Sequence, residues 1–209
     1  MKLKTLPIVA MMFLVSSIVY AIPYGFQNIT NTNATNAAIG EAQLSLDVTG
    51  ASHQISFEFL NSGPQACVIT QIFLYLPTES SYSLAFLDFE TDTPATVRYN
   101  LGANPGHLPG GPQNPYFAAS PLNPQPDNGI GSGENLFIRF TISNGEFDNV
   151  LAALNSQALM VGIHVQSFAD GGSESFINDP PAAPVPEPTT LFLLGVGLLG
   201  IAGFRFKKK

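Results

Sequence analysis

The stretch HQISFEF, residues 53–59, alternates polar and apolar side chains, with Ile55, Phe57 and Phe59 on one side. Such alternation is typical of a β-strand that buries one face. A nearly continuous apolar run at residues 68–76 is typical of a central strand. The alternating pattern recurs clearly at residues 42–49, 136–142 and 159–165. It is weaker at residues 82–89 and 95–99. About seven short strands predict an all-β, antiparallel β-sandwich or jelly-roll-like domain over residues 22–179.

One short helix is predicted between two of these strands. Ser143 and Glu146 have capping-box spacing, and apolar residues then recur at intervals of three and four at Phe147, Val150 and Leu154. We expect this helix to close one end of the sandwich.

Residues 100–133 hold seven prolines and seven glycines and show no periodicity. A loop of this length in a compact domain is usually functional or disordered. Tyr116 and Phe117 lie within it, together with His107 and Asp127. Two interpretations are open: a binding loop, or a loop packed down by its own aromatic side chains.

Residues 1–21 have the parts of a secretory signal peptide. Lys2 and Lys4 precede an apolar run at residues 6–19, and small side chains occupy Val19 and Ala21. We expect the secretion machinery to export the chain and signal peptidase to cleave after Ala21. The alternative, a retained N-terminal anchor, also places the following residues outside the cytoplasm.

Residues 180–188 contain five prolines, a composition typical of a stiff, extended stalk. The apolar stretch that follows, residues 189–206, would form a helix about 27 Å long, and basic side chains at its end can reach the headgroups of a bilayer. We predict a transmembrane helix here and a cytoplasmic tail at residues 207–209. The basic residues are Arg205, Lys207, Lys208 and Lys209. The G-x-G-x-x-G spacing at residues 195–200 is not a dinucleotide site, because no βαβ unit follows it.

Val185, Pro186, Glu187 and Pro188, followed by a glycine-containing apolar helix and a basic cluster, resemble the PEP-CTERM sorting domain. This short domain occurs on exported proteins of Gram-negative bacteria that make exopolysaccharide. The resemblance implies recognition by an exosortase, an integral-membrane cysteine protease or transpeptidase, near Pro186-Glu187-Pro188. It further implies an intermediate anchored in the inner membrane through the C-terminal helix, and a mature protein at the cell surface or in the extracellular matrix. The basic tail is richer in lysine than is usual for this family.

The stretch between the two apolar ends is strongly acidic. It holds all fifteen acidic residues but only Arg98 and Arg139 as cations, a net of −13. Such a surface repels phosphate backbones and anionic lipid, which excludes nucleic acid as a partner. Cations and neutral glycans are compatible with it.

The sequence offers few groups for chemistry. Cys67 is the only cysteine, so we expect a small core residue or, less simply, an intermolecular disulfide. His53, His107 and His164 share no metal-ligand spacing, and we expect His53 and His164 to be solvated.

Three acidic residues, Asp88, Glu90 and Asp92, alternate along an extended segment. They are weak candidates for calcium, with a solvated acidic strand edge as the alternative. Around Ser173 the nearest match to a nucleophile elbow lacks its last glycine and indicates a turn instead. No catalytic residue, cofactor or metal is predicted.

These observations favour a non-enzymatic surface or extracellular-matrix protein that an exosortase sorts and cleaves. The alternative is a glycan-binding module of the cell surface or biofilm matrix, with exopolysaccharide as its partner and Tyr116, Phe117 or the acidic residues as its site. A secreted hydrolase is the third hypothesis, although the sequence selects no pair of carboxylates for it.

Overall fold

The computed structural model describes residues 21–102 and 106–180. Residues 1–20 of the predicted signal peptide, and the predicted motif, helix and tail after Pro180, lie outside these residues. The described chain forms ten strands and two helices. In chain order they are β1 (Ile22–Asn28), α1 (Ala34–Gln43), β2 (Leu44–Ala51), β3 (Gln54–Asn61), β4 (Val68–Tyr75), β5 (Ser83–Glu90), β6 (Tyr99–Leu101), β7 (Phe117–Pro121), β8 (Glu134–Ser143), α2 (Phe147–Asn155), β9 (Met160–Gln166) and β10 (Ser173–Asp179).

All ten strands belong to one antiparallel sheet with the order β5-β8-β3-β2-β1-β10-β9-β4-β7-β6. Strand β1 is the joint between its two halves. Its first residues, Ile22 to Tyr24, pair with β2, and its later residues, Gly25 to Asn28, pair with β10. A strand shared in this way lets a sheet turn a corner and fold over itself.

The two ends of the strand order meet across the interior. Phe86 of β5 stacks on Phe117 of β7 with ring centroids 5.7 Å apart, and Phe117 packs edge-on against Phe140 at 5.0 Å. Phe89 and Tyr99, in the two outermost strands, are 6.4 Å apart. The sheet is therefore nearly closed around the main apolar core, which removes most of the exposed edge that an open sheet would present. A second, smaller buried cluster consists of Phe73, Tyr75 and Leu108.

The all-β, antiparallel part of the prediction is confirmed. The structure differs in having ten strands rather than about seven, in joining them into one sheet, and in having two helices rather than one. The predicted helix is present as α2, but its capping residue is Glu146, whose N–H donates to Asn149 Oδ1 at 2.8 Å, rather than Ser143.

Helix α1 was not predicted, and the strand predicted at residues 42–49 begins two residues later, at Leu44. Asn33 caps the helix, its side-chain oxygen accepting from the backbone N–H groups of Thr35 at 2.8 Å and Asn36 at 3.3 Å. Strand β1 and strand β10 were also missed. Both lie in segments whose apolar alternation is interrupted by proline, glycine or buried polar residues.

Most of the proline- and glycine-rich stretch at residues 100–133 is packed onto the body. It contains β7, an isolated bridge between Ile130 and Ile69, and the fully buried Leu108, whose N–H donates to the hydroxyl of Tyr75 at 3.1 Å. Among the residues described there, the arrangement corresponds to the packed-down alternative.

The chain enters and leaves the body at the same end. Gly25 of β1 lies opposite Asp179, the last residue of β10, and Ile22 lies three residues further toward that end. Within residues 21–102 and 106–180, neither helix has the length and apolar character needed to cross a bilayer.

Candidate functional site

The exit of the chain from the body is held by hydrogen bonds on several sides. Asn178 Oδ1 accepts from the N–H of Val161 at 2.7 Å, and the backbone carbonyl of Asn178 accepts from Gln157 Nε2 at 3.3 Å. Tyr24 of β1 donates its hydroxyl to Asn155 Oδ1, at the end of α2, at 2.9 Å. The end of α2 and the turn after it therefore tie β1 and β10 together where the chain leaves toward the proline-rich segment.

Glu174, at the start of β10, organises the loop before α1. Its buried carboxylate accepts from Asn28 Nδ2 at 3.1 Å, Thr30 Oγ1 at 2.5 Å, and the backbone N–H groups of Thr32 at 3.2 Å and Asn33 at 2.6 Å. Burial raises the pKa of the Glu174 carboxyl, but these four hydrogen bonds outweigh burial and hold its pKa below the ordinary 4.5. The role of this carboxylate is structural, since its oxygens are occupied by the loop.

His164 is buried, which corrects the expectation that it is solvated. It lies opposite Ser175 in the ladder between β9 and β10, and its Nδ1 is 3.1 Å from Ser175 Oγ. Burial lowers the pKa of His164, and the nearby charge of Glu174 partly offsets that shift. His53 is exposed, as expected, with Nδ1 2.9 Å from the carbonyl of Gly145.

The Ser175–His164 pair is not arranged as a hydrolase triad. Ser175 has no exposed surface, so a substrate in solvent has no access to its hydroxyl. Glu174 precedes Ser175 in a strand, so the two side chains point to opposite faces of the sheet. The acid is therefore on the wrong side to orient the imidazole as a triad requires.

Of the three calcium candidates, two are paired with a cation. Arg139 of β8 contacts Asp88 at 3.6 Å and also forms an ion pair with Glu90. Asp92 accepts at 2.9 Å from Asn135 Nδ2, which donates at the same distance to Glu58.

A β-bulge between Phe86 and Asp88 places Asp88 and Glu90 beside Arg139. In the described part of the chain, no group of three or more His, Cys, Asp or Glu residues is placed to hold a metal ion. The arrangement is that of an acidic sheet edge, and calcium binding there stays a prediction.

The aromatic pair of the long loop is divided between the surface and the core. Phe117 is buried against Phe86 and Phe140 and offers no free ring face. Tyr116 is 45% exposed, but its hydroxyl donates to the carbonyl of Leu84 at 2.8 Å and accepts from the N–H of Leu84 at 3.1 Å. Tyr116 thus covers part of the free edge of β5. Of these two aromatic residues, only Tyr116 remains a candidate for binding a glycan, and such binding stays a prediction.

A shallow groove of about 710 Å³ lies between α1 and the connection from β3 to β4. Its lining carries no charged side chain and is mostly apolar: Ala34, Thr35, Ala38, Ile39, Ala42, Gln43, Ser62, Gly63, Pro64 and Gln65. Cys67 lies beneath this region, 2% exposed, with its sulfur accepting from Gln43 Nε2 at 3.0 Å. The prediction of a small core cysteine is confirmed, and burial raises the pKa of its thiol.

The residues that hold the loop from residue 28 to residue 33, above all Glu174 and Asn33, were not predicted from the sequence. One signal was available, because Asn33 is a preferred capping residue and precedes an alanine-rich run. Nothing in the sequence pattern pointed to Glu174. Ala21, the predicted cleavage position, directly precedes β1, which begins at Ile22.

The predicted sorting residues Val185, Pro186, Glu187 and Pro188, and the basic residues from Arg205 to Lys209, lie outside the described part of the chain. Residues 184–209 match a protein-family model described as the PEP-CTERM protein-sorting motif. Comparisons with curated proteins and with solved structures gave no match. The chain therefore carries a PEP-CTERM protein-sorting motif, which implies export and exosortase-mediated sorting through a membrane-anchored intermediate.

Proposed function

We propose that this chain is a non-enzymatic protein of the cell surface or extracellular matrix that an exosortase cleaves near Pro186-Glu187-Pro188. The match of residues 184–209 to the sorting motif carries this proposal. In this proposal signal peptidase removes residues 1–21, the predicted helix at residues 189–206 anchors the exported intermediate, and the tail at residues 207–209 stays on the cytoplasmic side.

Two features of the body support this role. Both ends of the β-sheet body lie on one side, so an exported chain can be tethered there while the opposite side faces away from the membrane. Its hydroxyl–imidazole pair, Ser175 and His164, is buried in the sheet, which supports a non-enzymatic role.

The acidic surface of the exported stretch, with a net charge of −13, favours neutral glycans and cations over polyanions as matrix partners. Binding of exopolysaccharide or another glycan is the alternative activity within the same location.

The proposal is tested by replacing Pro186, Glu187 and Pro188 together with alanine in the native host. We expect the variant to stay in the inner membrane with an intact mass that still includes Lys209, while the wild type is released from its anchor. Replacing residues 181–183 with glycine and serine is the matched control, since it keeps both the length and the motif. Wild-type cleavage and delivery of the triple-alanine variant, or an uncleaved wild type in cells that contain the exosortase, would contradict the proposal.

A further inference from the structure

We propose that residues 180–185 are a spacer of required length, because the folded body limits how closely the exosortase can approach its cleavage motif. The inference rests on the proposed function and adds a constraint that comes from the body. It concerns the distance between Asp179, the last residue of β10, and Pro186.

The residues of strand β10 up to Asn178 cannot leave the sheet to lengthen this spacer. The strand lies in the middle of the sheet, with residues 173–177 paired to β9 and residues 176–179 paired to β1. Phe176 is fully buried in the core, and Asn178 is 1% exposed and holds the N–H of Val161. Up to Asn178 the strand is bonded to neighbours on both sides and buries its inward side chains, so this part opens only with a large part of the fold, unlike a fraying terminus. Asp179 is exposed and paired to β1 alone, so it is the one residue at this end of β10 that can fray.

The surroundings of the exit are bulky as well as fixed. Asn155, the last residue of α2, bonds to Tyr24 of β1, and Gln157, in the turn after α2, bonds to Asn178 of β10. The chain therefore leaves the body beside the end of α2 and the first residues of β1. An enzyme that binds the motif meets this side of the body.

The available length is short compared with the body. Six residues separate Asp179 from Pro186, and they span at most about 22 Å when fully extended. A compact body of this size has a radius of gyration of about 15 Å. Removal of residues 180–183 would leave two residues and at most about 7 Å. That distance is shorter than the radius of the body, so an enzyme that binds the motif would come into contact with the body.

The test compares three forms of the full-length chain in the native host. One lacks residues 180–183, which leaves the matched motif at residues 184–209 intact. A second replaces the same four residues with Gly-Ser-Gly-Ser, and a third replaces them with Gly-Ser alone, which restores half of the deleted length. Cleavage is followed by intact mass and by a time course of release, and limited proteolysis shows whether each body is folded.

We expect the deletion to slow cleavage by roughly tenfold or more, since small displacements from a productive geometry already cost large factors in rate. We also expect the length-matched replacement to be cleaved like the wild type, and the form with Gly-Ser alone to be cleaved at a rate between those of the deletion and the wild type. Wild-type cleavage of the deletion overturns the inference. Slow cleavage of the length-matched replacement also overturns it, because the enzyme then reads the sequence of residues 180–183. An uncleaved wild type contradicts the proposed function instead.

Discussion

At the scale of single residues, the carboxylate of Glu174 holds the loop before α1 by hydrogen bonds. A buried charge is costly unless it is hydrogen-bonded, and Glu174 is bonded by two side chains and two backbone N–H groups of the same loop. Hydrogen bonds to a charged group contribute about 1.5–3 kcal/mol each, more than neutral ones. The loop from Asn28 to Asn33 is therefore held in the geometry that starts α1.

We predict that Glu174→Gln lowers the free energy of unfolding by about 1.5–3 kcal/mol at neutral pH, because the charge is lost and an amide N–H must face other donors. The pKa of Glu174 is lowered in the folded state, so its stabilising effect is present above the ordinary value of 4.5 and is lost as the pH falls below it. Denaturant unfolding of wild type and variant from pH 7 to pH 3 measures both effects.

Two controls make this measurement specific. Glu79→Gln changes an exposed carboxylate in the connection from β4 to β5 and should leave stability nearly unchanged. His164, whose pKa is also lowered in the folded state, should cause a separate loss of stability as the pH falls below 6.5, and this loss should persist in Glu174→Gln. Equal pH dependence of wild type and Glu174→Gln below pH 4.5 would contradict the role given to Glu174.

Residues of this kind limited what could be predicted from the sequence. Glu174 and Ser175 interrupt the apolar alternation of β10, so the pattern indicated a turn there and not a central strand. His164 lies on the polar phase of β9, but this face of the sheet is covered, so the alternation did not reveal its burial. Cys67 could be placed correctly because apolar neighbours on both sides gave a local signal.

At the scale of elements, α1 is held by a close contact and not by an apolar stripe. Gly40 packs directly on the ring of Phe176, and a Cβ atom built on Gly40 would overlap that ring. Phe176 is fully buried and cannot move away without disturbing the core. The small residue in the middle of the helix thus lets α1 approach β10.

We predict that Gly40→Ala destabilises the protein by about 1–3 kcal/mol, the usual cost of overpacking a core. In an exposed helix the same change would stabilise by up to about 1 kcal/mol, so the sign of the effect distinguishes the two situations. Thermal and denaturant unfolding provide the measurement. Ala38→Gly on the exposed side of α1 is the control and should cost only about 0.5–1 kcal/mol. An increase in stability for Gly40→Ala would show that the contact with Phe176 is not tight.

The two helices show which local signals are sufficient for prediction. Helix α2 repeats its apolar residues at intervals of three and four and could be read from the sequence, although its cap was placed three residues too early. Helix α1 contains Thr35, Asn36 and Gly40, all weaker helix formers than alanine, and buries mainly small or polar side chains. Its position is set by tertiary contacts with β1 and β10, which sequence periodicity does not contain.

At the scale of the whole molecule, β1 and β10 close the fold. Each is a terminal strand of the body, yet together they occupy the centre of the strand order and join the half-sheet that contains β2 to the half-sheet that contains β9. Sequence periodicity identified strands on both sides of this joint but not the joint itself. The class of fold could be predicted, while the closure depends on pairing between residues far apart in the chain.

Because β10 is central, we predict that a chain of residues 22–180 folds by itself and that a chain of residues 22–172 does not. Removing β10 leaves β1 and β9 without their common neighbour and opens the space filled by Phe176, a loss of about 3–5 kcal/mol for that ring alone. This loss is a large share of the roughly 5–15 kcal/mol by which such domains are stable.

Circular dichroism and denaturant unfolding should give a cooperative transition for the longer chain and none for the shorter one. Equal cooperative unfolding of the two would show that β10 can leave the sheet at little cost, and would also remove the fixed strand end from which the spacer of residues 180–185 is measured. A cooperative longer chain beside an unfolded shorter one would mean that export must deliver residue 179 before the body can fold. Only a few residues separate this last strand from the motif. The body would therefore finish folding shortly before the motif reaches the exosortase.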